Sequence, residues 1–309
     1  MQTSNMKTTF RILTLLLTGS LLLTACSDDD DDRDSGIPAE RNVNRNDISQ
    51  EPALQRLEFP KVKGGNSRVI IHSNSDQFGI NYSVEWDCTK RSQRWSCYQM
   101  YASNRKQNTS RYYSDTNQYP LDPDLPAQYY FDYDPFRGSG YDHGHICPSA
   151  DRLYSKDANI QTFYLTNMQP QRHVFNAGIW EKMEEKLRSW ISTGSKAEDT
   201  LYVCKGGTID AVSGVTDNPI RETLQNGLIV PRYFFMALLR KQKTGYKALA
   251  FWVEHTDDDH SNDPLGNYVI SVRELERRTG IDFFCNLPDD IENEVETTTV
   301  ENIKWLWQL

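Results

Sequence analysis

The chain has 309 residues, 38% of them hydrophobic and 25% charged, and its 34 lysines and arginines stand against 43 aspartates and glutamates for a net charge of -9. Such an acid excess excludes a protein that holds nucleic acid chiefly through a carpet of basic side chains, because phosphate neutralisation needs an excess of cations. It leaves room for an enzyme that meets phosphate with a bound divalent cation.

Near the N-terminus, Lys7 and Arg11 flank an apolar run from Ile12 to Leu23 that stops at Thr24-Ala25-Cys26. The run is too short, and too soon followed by charge, for a stable membrane span. Leu23-Thr24-Ala25-Cys26 resembles a bacterial lipobox. That resemblance implies a lipoprotein signal peptide over residues 1–26 and a lipid on Cys26. It also implies export, with the chain held on the outer membrane through the lipid and facing either the periplasm or the surface. An ordinary cleaved signal also fits the run and likewise exports the protein. The block Asp28 to Asp32 that follows repels itself, so residues 27–55 read as a flexible acidic tether. It resembles the acidic sorting tracts of some surface lipoproteins, and a plain spacer fits as well.

Residues 56–309 suit one domain with a sizeable core. Val69 to His72, Tyr82 to Trp86 and Trp95 to Tyr101 are β-branched or aromatic runs bounded by turn residues, and they predict strands of an antiparallel sheet. Of the six cysteines, Cys26 is taken by lipid, which leaves five. Cys88 and Cys97 flank a polar turn and predict a cross-hairpin disulfide, with Cys204 to Cys285 as a second pair; Cys147 then reads as a small buried apolar residue. From Asn104 to Gly140 the chain is rich in Pro, Asp, Tyr and Asn, which predicts a long surface loop walling a groove.

Tyr141-Asp142-His143-Gly144-His145-Ile146-Cys147-Pro148 comes next. In an extended chain the two imidazoles share a side, and the glycine between them lets a backbone, a metal or a phosphate approach. Thr166-Asn167-Met168-Gln169-Pro170-Gln171 follows, with Asn167 at a strand end or turn. From Asn176 the apolar residues Ile179, Trp180, Met183, Leu187, Trp190 and Ile191 form a helical stripe, with Asn176 placed as its N-cap. Glu184 lies eight residues beyond Asn176, a little over two turns, so both side chains can share a face. Further strands are predicted at Leu201 to Cys204, Tyr233 to Leu239 and Lys247 to Val253. A short helix at Val272 to Arg278 is closed by Gly280. His255 and His260 bracket three aspartates in what reads as a solvated loop, and His173 as a surface loop residue.

Taken in order, Asp142-His143-Gly144-His145, Thr166 to Gln171, Asn176-Ala177-Gly178-Ile179-Trp180 and Met183-Glu184 resemble the motifs of the DNA/RNA non-specific endonuclease family, with its ββα-metal active site. The resemblance covers roughly residues 60 to 290 and implies an α+β fold, an antiparallel sheet core flanked by helices. It implies that His145 is the general base and that Asn176 binds Mg2+ or Mn2+ through its amide oxygen. Glu184 holds metal-bound waters, Asn167 orients the site, Asp142 positions the segment by accepting a hydrogen bond, and Arg111 (or Arg105 in its place) contacts phosphate. The substrates are then DNA and RNA, and the products carry 5′-phosphates. The chain departs from the pattern at His143, where many relatives carry arginine, a permanent fork-shaped cation that imidazole does not replace.

Two other readings stay open at this level. His143 and His145 read as a zinc pair of a different metallohydrolase, with Asp151 the nearest further ligand in sequence. Alternatively, the chain is a surface lipoprotein that binds nucleic acid without cutting it. No base-reading module is visible, and nothing indicates an oligomer.

Overall fold

The structure is a computed structural model and describes residues 41–309. The run read as a signal peptide, Cys26 and the aspartate block therefore lie outside the described residues. Eleven strands form: β1 Ser67–Ser73, β2 Ile80–Asp87, β3 Ser92–Tyr101, β4 Asp142–His145, β5 Met168–Gln171, β6 Thr200–Gly207, β7 Ile220–Thr223, β8 Ile229–Pro231, β9 Tyr233–Gln242, β10 Gly245–Glu254 and β11 Val269–Ile270. The helices are α1 Lys156–Gln161, α2 His173–Phe175, α3 Glu181–Trp190, α4 Val272–Thr279, α5 Asp289–Glu296 and α6 Val300–Trp307; the segment Asn176–Trp180, kinked at Gly178, joins α2 to α3.

Seven strands make one sheet in the order β1-β2-β3-β6-β9-β10-β11, with every pairing antiparallel. Side chains alternate across its central strands, and both faces are apolar, as a sheet buried on both sides requires. Tyr98, Met100, Leu201, Val203, Phe234, Met236 and Phe251 point to one face, which packs under Ile179, Trp180, Met183 and Leu187 and against Trp307 of α6. Trp95, Cys97, Cys204, Phe235, Ala237 and Ala250 point to the other, covered by Val272 and Leu275 of α4, Phe283, Leu287 and Val295 of α5. The α+β architecture inferred from the motifs is the one observed. Gly280 closes α4 in the left-handed region, φ 67°, as a C-terminal glycine should.

The cysteine pairing is corrected. Cys88, Cys97, Cys147, Cys204 and Cys285 are all free and buried. In the β2–β3 hairpin Cys97 lies opposite Ser83, so the register carries it several residues away from Cys88 at the turn. On its other side Cys97 faces Cys204 of β6, and Cys285 instead receives a hydrogen bond from Asn46. The folded body also begins before residue 56: Asn42 and Asn44 donate to Leu287 O and to the Asp282 and Glu292 carboxylates, which docks this stretch on the C-terminal helices.

Candidate active site

The cleft is built from β4, β5 and the helical run after them. β4 and β5 pair antiparallel, with His143 opposite Pro170 and His145 opposite Met168. Gly144 is required here by close approach: an added Cβ would meet the Gln171 side chain and lie 2.6 Å from Gln169 O. The glycine between the histidines thus admits a neighbouring strand, not a metal or a phosphate. His143, His145, Asp142, Arg111, Asn176, Glu181, Glu184 and Arg188 all line the resulting cleft.

His145 sits beneath Phe163, edge to face at 4.9 Å, and its Nε2 is buried without a hydrogen-bond partner. Burial, followed by the nearby Arg111 cation, pushes its pKa down to about 3, so the ring is neutral at physiological pH. A neutral imidazole with a vacant nitrogen, on a residue that lines a polar cleft, is equipped to take a proton.

Asn176 is not an N-cap. Its backbone is fully helical, φ -60° and ψ -52°, and α2 begins at His173 with Arg172 as its cap. The side chain is oriented by Asp142, whose Oδ2 accepts from Asn176 Nδ2 at 3.0 Å and stands 2.9 Å from His173 Nδ1. With the amide nitrogen so engaged, the carbonyl oxygen is the end offered to the cleft. A single neutral oxygen donor that leaves most positions to water suits Mg2+. His173 is exposed, lines the cleft beside Asn176 and contacts Asp142.

The run from Asn176 to Glu184 is not one regular helix: Gly178 kinks it, with φ -109° and ψ -110°, and α3 runs on from the kink so that both side chains line the cleft. Glu184 is 8% exposed, and its Oε1 lies 2.6 Å from the Nζ of Lys205, a residue with no exposed surface. Burial raises the Glu184 pKa while Lys205 draws it back down. Arg188, one turn on, stands 4.0 Å from Glu184 and 3.4 Å from the buried Asp151, which also faces Arg105 at 3.6 Å.

Arg105 is therefore bound into the wall, while Arg111 lines the cleft and stacks over Phe163 at 4.9 Å. Asn167 is fully buried and does not line the cleft. Its amide clamps both polar groups of the Cys147 backbone at 2.8 Å, which fixes the chain just past His145. His143 stacks flat on Tyr119, ring centroids 3.6 Å apart, and its Nε2 lies 3.0 Å from Asp134 Oδ2. Burial works to raise the Asp134 pKa, but the His143 ring outweighs it and the net shift is downward.

Tyr119, Asp134, Lys205 and Arg188 are the site residues that sequence reasoning passed over. Lys205 carried a signal, a lysine inside an apolar strand; Tyr119 and Asp134 lie in the long loop and carried none. The zinc-pair reading is not assembled: among the described residues, the groups of three side chains placed to share a metal are His72, Asp122, Asp124 and Glu276, Asp282, Glu296. Asp151 is turned toward Tyr98 and the two arginines. His255 hydrogen-bonds through both ring nitrogens, and His260 pairs with Asp263.

Two short antiparallel strands that lead into a helix, with histidine on the strand and amide and carboxylate on the helix, define a ββα-metal nuclease fold. Comparison with known proteins narrows this. The DNA/RNA non-specific endonuclease family matches residues 65–290, and the chain belongs to that family. It is 26% identical over 217 residues to the mitochondrial nuclease EXOG of Xenopus laevis, 68% of this chain and 58% of that protein. It is 30% identical over 169 residues to a nuclease of Nostoc sp., 52% of this chain and 57% of that one. With human mitochondrial endonuclease G it shares 28% over 155 residues, 49% and 51% of the two chains. The chain thus spans little more than half the length of these relatives. A chain of the crystal structure of the EndoG/EndoGI complex superposes with a TM-score of 0.59 at 20% identity, covering 77% of this chain and 94% of that one, a likeness of fold.

Proposed function

We propose that this protein hydrolyses phosphodiester bonds of DNA and RNA with little base preference, with His145 as general base and one Mg2+ or Mn2+ ion, leaving 5′-phosphate ends. The observation that carries the proposal is the buried, unpartnered Nε2 of a neutral His145 in the same cleft as an Asn176 amide turned by Asp142. Asn176 would hold the ion directly and Glu184 through water; when bound, such an ion relieves charge on the phosphoryl oxygens and acidifies its own waters. His145 takes the proton from the attacking water, and Phe163 and the Asn167 clamp keep its ring in place. Arg111 binds the phosphate with a fixed guanidinium, and His143, held by Tyr119 and Asp134, stands where many relatives carry arginine.

The export signal and Cys26 support a lipid-anchored, exported enzyme. Incorporation of labelled fatty acid that Cys26→Ser abolishes tests this. The activity is tested with the chain lacking residues 1–26, incubated with plasmid, single-stranded DNA and RNA in Mg2+, beside His145→Ala and Asn176→Ala. Degradation of all three substrates, lost in both variants, is the expected result. Intact substrates with retained binding would overturn the catalytic reading.

A further inference from the structure

Apart from the cleft, the loop before β4 brings two carboxylates to a buried histidine. His72 of β1 is 1% exposed and lies between the rings of Tyr82 and Tyr164, at 4.6 and 5.2 Å. Its Nε2 is 2.9 Å from Asp122 Oδ2 and its Nδ1 3.4 Å from Asp124 Oδ2, yet neither ring nitrogen has a hydrogen-bond partner. The oxygens are near but off the line that an N–H would take. A buried imidazole held only for packing or for a salt link normally satisfies at least one nitrogen.

Asp122 is itself 2% exposed and well ordered. Its Oδ2 also accepts from Thr166 Oγ1, and its Oδ1 takes the Asp124 N–H at 3.0 Å. One ring nitrogen and one oxygen from each aspartate lie within 4.8 Å of one another. The two short contacts reach different ring nitrogens, Nε2 to Asp122 and Nδ1 to Asp124, so an ion takes one nitrogen, and the carboxylates, already within 4.8 Å of it and of each other, close toward the roughly 3.3–3.6 Å between donors of a tetrahedral ion. The side chain of Asp124 is 60% exposed, which leaves a path for an ion and a place for a water ligand.

We propose that His72, Asp122 and Asp124 bind a divalent cation of the zinc class, separate from the ion of the cleft. One imidazole and two carboxylates with an open fourth position suit Zn2+, whereas Mg2+ and Ca2+ prefer oxygen alone. The charge of two carboxylates is balanced by such a dication. Its place in the fold gives it a structural task. It ties the long loop to β1, and that loop carries Tyr119 and Asp134, which hold His143. Through Thr166 it also braces the turn that supplies Asn167.

The test is cobalt and zinc uptake by the chain lacking residues 1–26, stripped with chelator and then dialysed against Co2+ or Zn2+. Elemental analysis, the visible d–d bands of Co2+ and thermal melting are read for wild type, Asn176→Ala and Asp124→Asn. The expected result is one tightly held ion with cobalt bands of a four-coordinate site in wild type and in Asn176→Ala, and neither in Asp124→Asn. Zinc raises the melting temperature of the first two alone. An ion lost with Asn176→Ala, or none held by wild type, would overturn the proposal and leave a histidine packed between two carboxylates with no ion. Should Asp124→Asn not fold, the cobalt spectrum of Asn176→Ala together with the 15N shift of the His72 ring on zinc addition decides the matter.

Discussion

Lys205 offers the sharpest trial of how the cleft is held. It has no exposed surface and lies 2.6 Å from a carboxylate that is 11% exposed, so Lys205→Met leaves the Glu184 charge buried with Arg188 at 4.0 Å as its nearest cation. Breaking one side of a buried pair typically costs about 3–5 kcal/mol, because the remaining charge is uncompensated. At roughly 2–4 °C per kcal/mol for a domain of this size, the melting temperature should fall by about 10 °C at pH 8. The sign of the pH dependence follows from Glu184. Burial already lifts its pKa above the ordinary 4.5 and Lys205 is what restrains the lift, so the variant's folded state binds a proton that the unfolded state releases. Stability therefore falls as pH rises from 4.5 through the raised pKa, and the penalty of Lys205→Met should shrink on going from pH 8 to pH 5. Adding Glu184→Gln should recover much of the loss. Melting of the two single variants and the double at both pH values measures the coupling; a penalty unchanged between pH 8 and 5, or strictly additive single effects, would refute the reasoning.

Gly144→Ala places a methyl 2.6 Å from Gln169 O, a backbone atom that cannot swing aside, so a loss of about 1–3 kcal/mol in denaturant melts and a weakened β4–β5 pairing are expected. With its pKa pushed down to about 3, the His145 ring should show no titration by NMR between pH 8 and 5 in the metal-free protein, and a midpoint near the ordinary 6.5 would contradict its burial. Because the unfolded ring binds a proton that the folded one refuses, His145 should also cost stability as pH falls below 6.5 and cost nothing above it. Arg111→Ala should weaken substrate binding across sequences alike and lower the salt slope of binding by about one.

The sheet was legible because its strands are dense in β-branched and aromatic residues, and α4 because serine and glycine cap it. The ββα segment was legible through its motifs: His145, Arg111, Asn176 and Glu184 all reach one cleft. What could not be read were the relations set by register and by tertiary contact. Cys88 and Cys97 flank a hairpin in sequence, but pairing fixes Cys97 opposite Ser83 and Cys204 instead. Asn176 has the look of a cap because the apolar stripe starts beside it, yet a helical turn is already running at His173, and the kink at Gly178 hides in a continuous pattern. Asn167 reads as a site amide, but its hydrogen bonds all go to the chain around His145 and Thr162 and to Ser96.

The acid excess and the proposed substrate are reconciled by where the cations go. Lys205 is given to Glu184, and Arg105 and Arg188 face Asp151, so these three build the wall and do not attract a polyanion. Arg111 differs: it stacks on Phe163, opens on the cleft and pairs with no carboxylate among the described residues. In the proposed reaction the fixed positive field at the phosphate thus reduces to one guanidinium and the ion that Asn176 would hold. A field so local acts at contact distance and is little use for steering over a Debye length of roughly 8–10 Å. In the proposed reaction, affinity for nucleic acid should therefore be modest, and Arg111→Ala should remove most of what remains without the ion. At His143 the flat stack on Tyr119 and the contact with Asp134 hold the ring in one place, where it gives the cleft a fixed polar edge but no guanidinium fork for a phosphate.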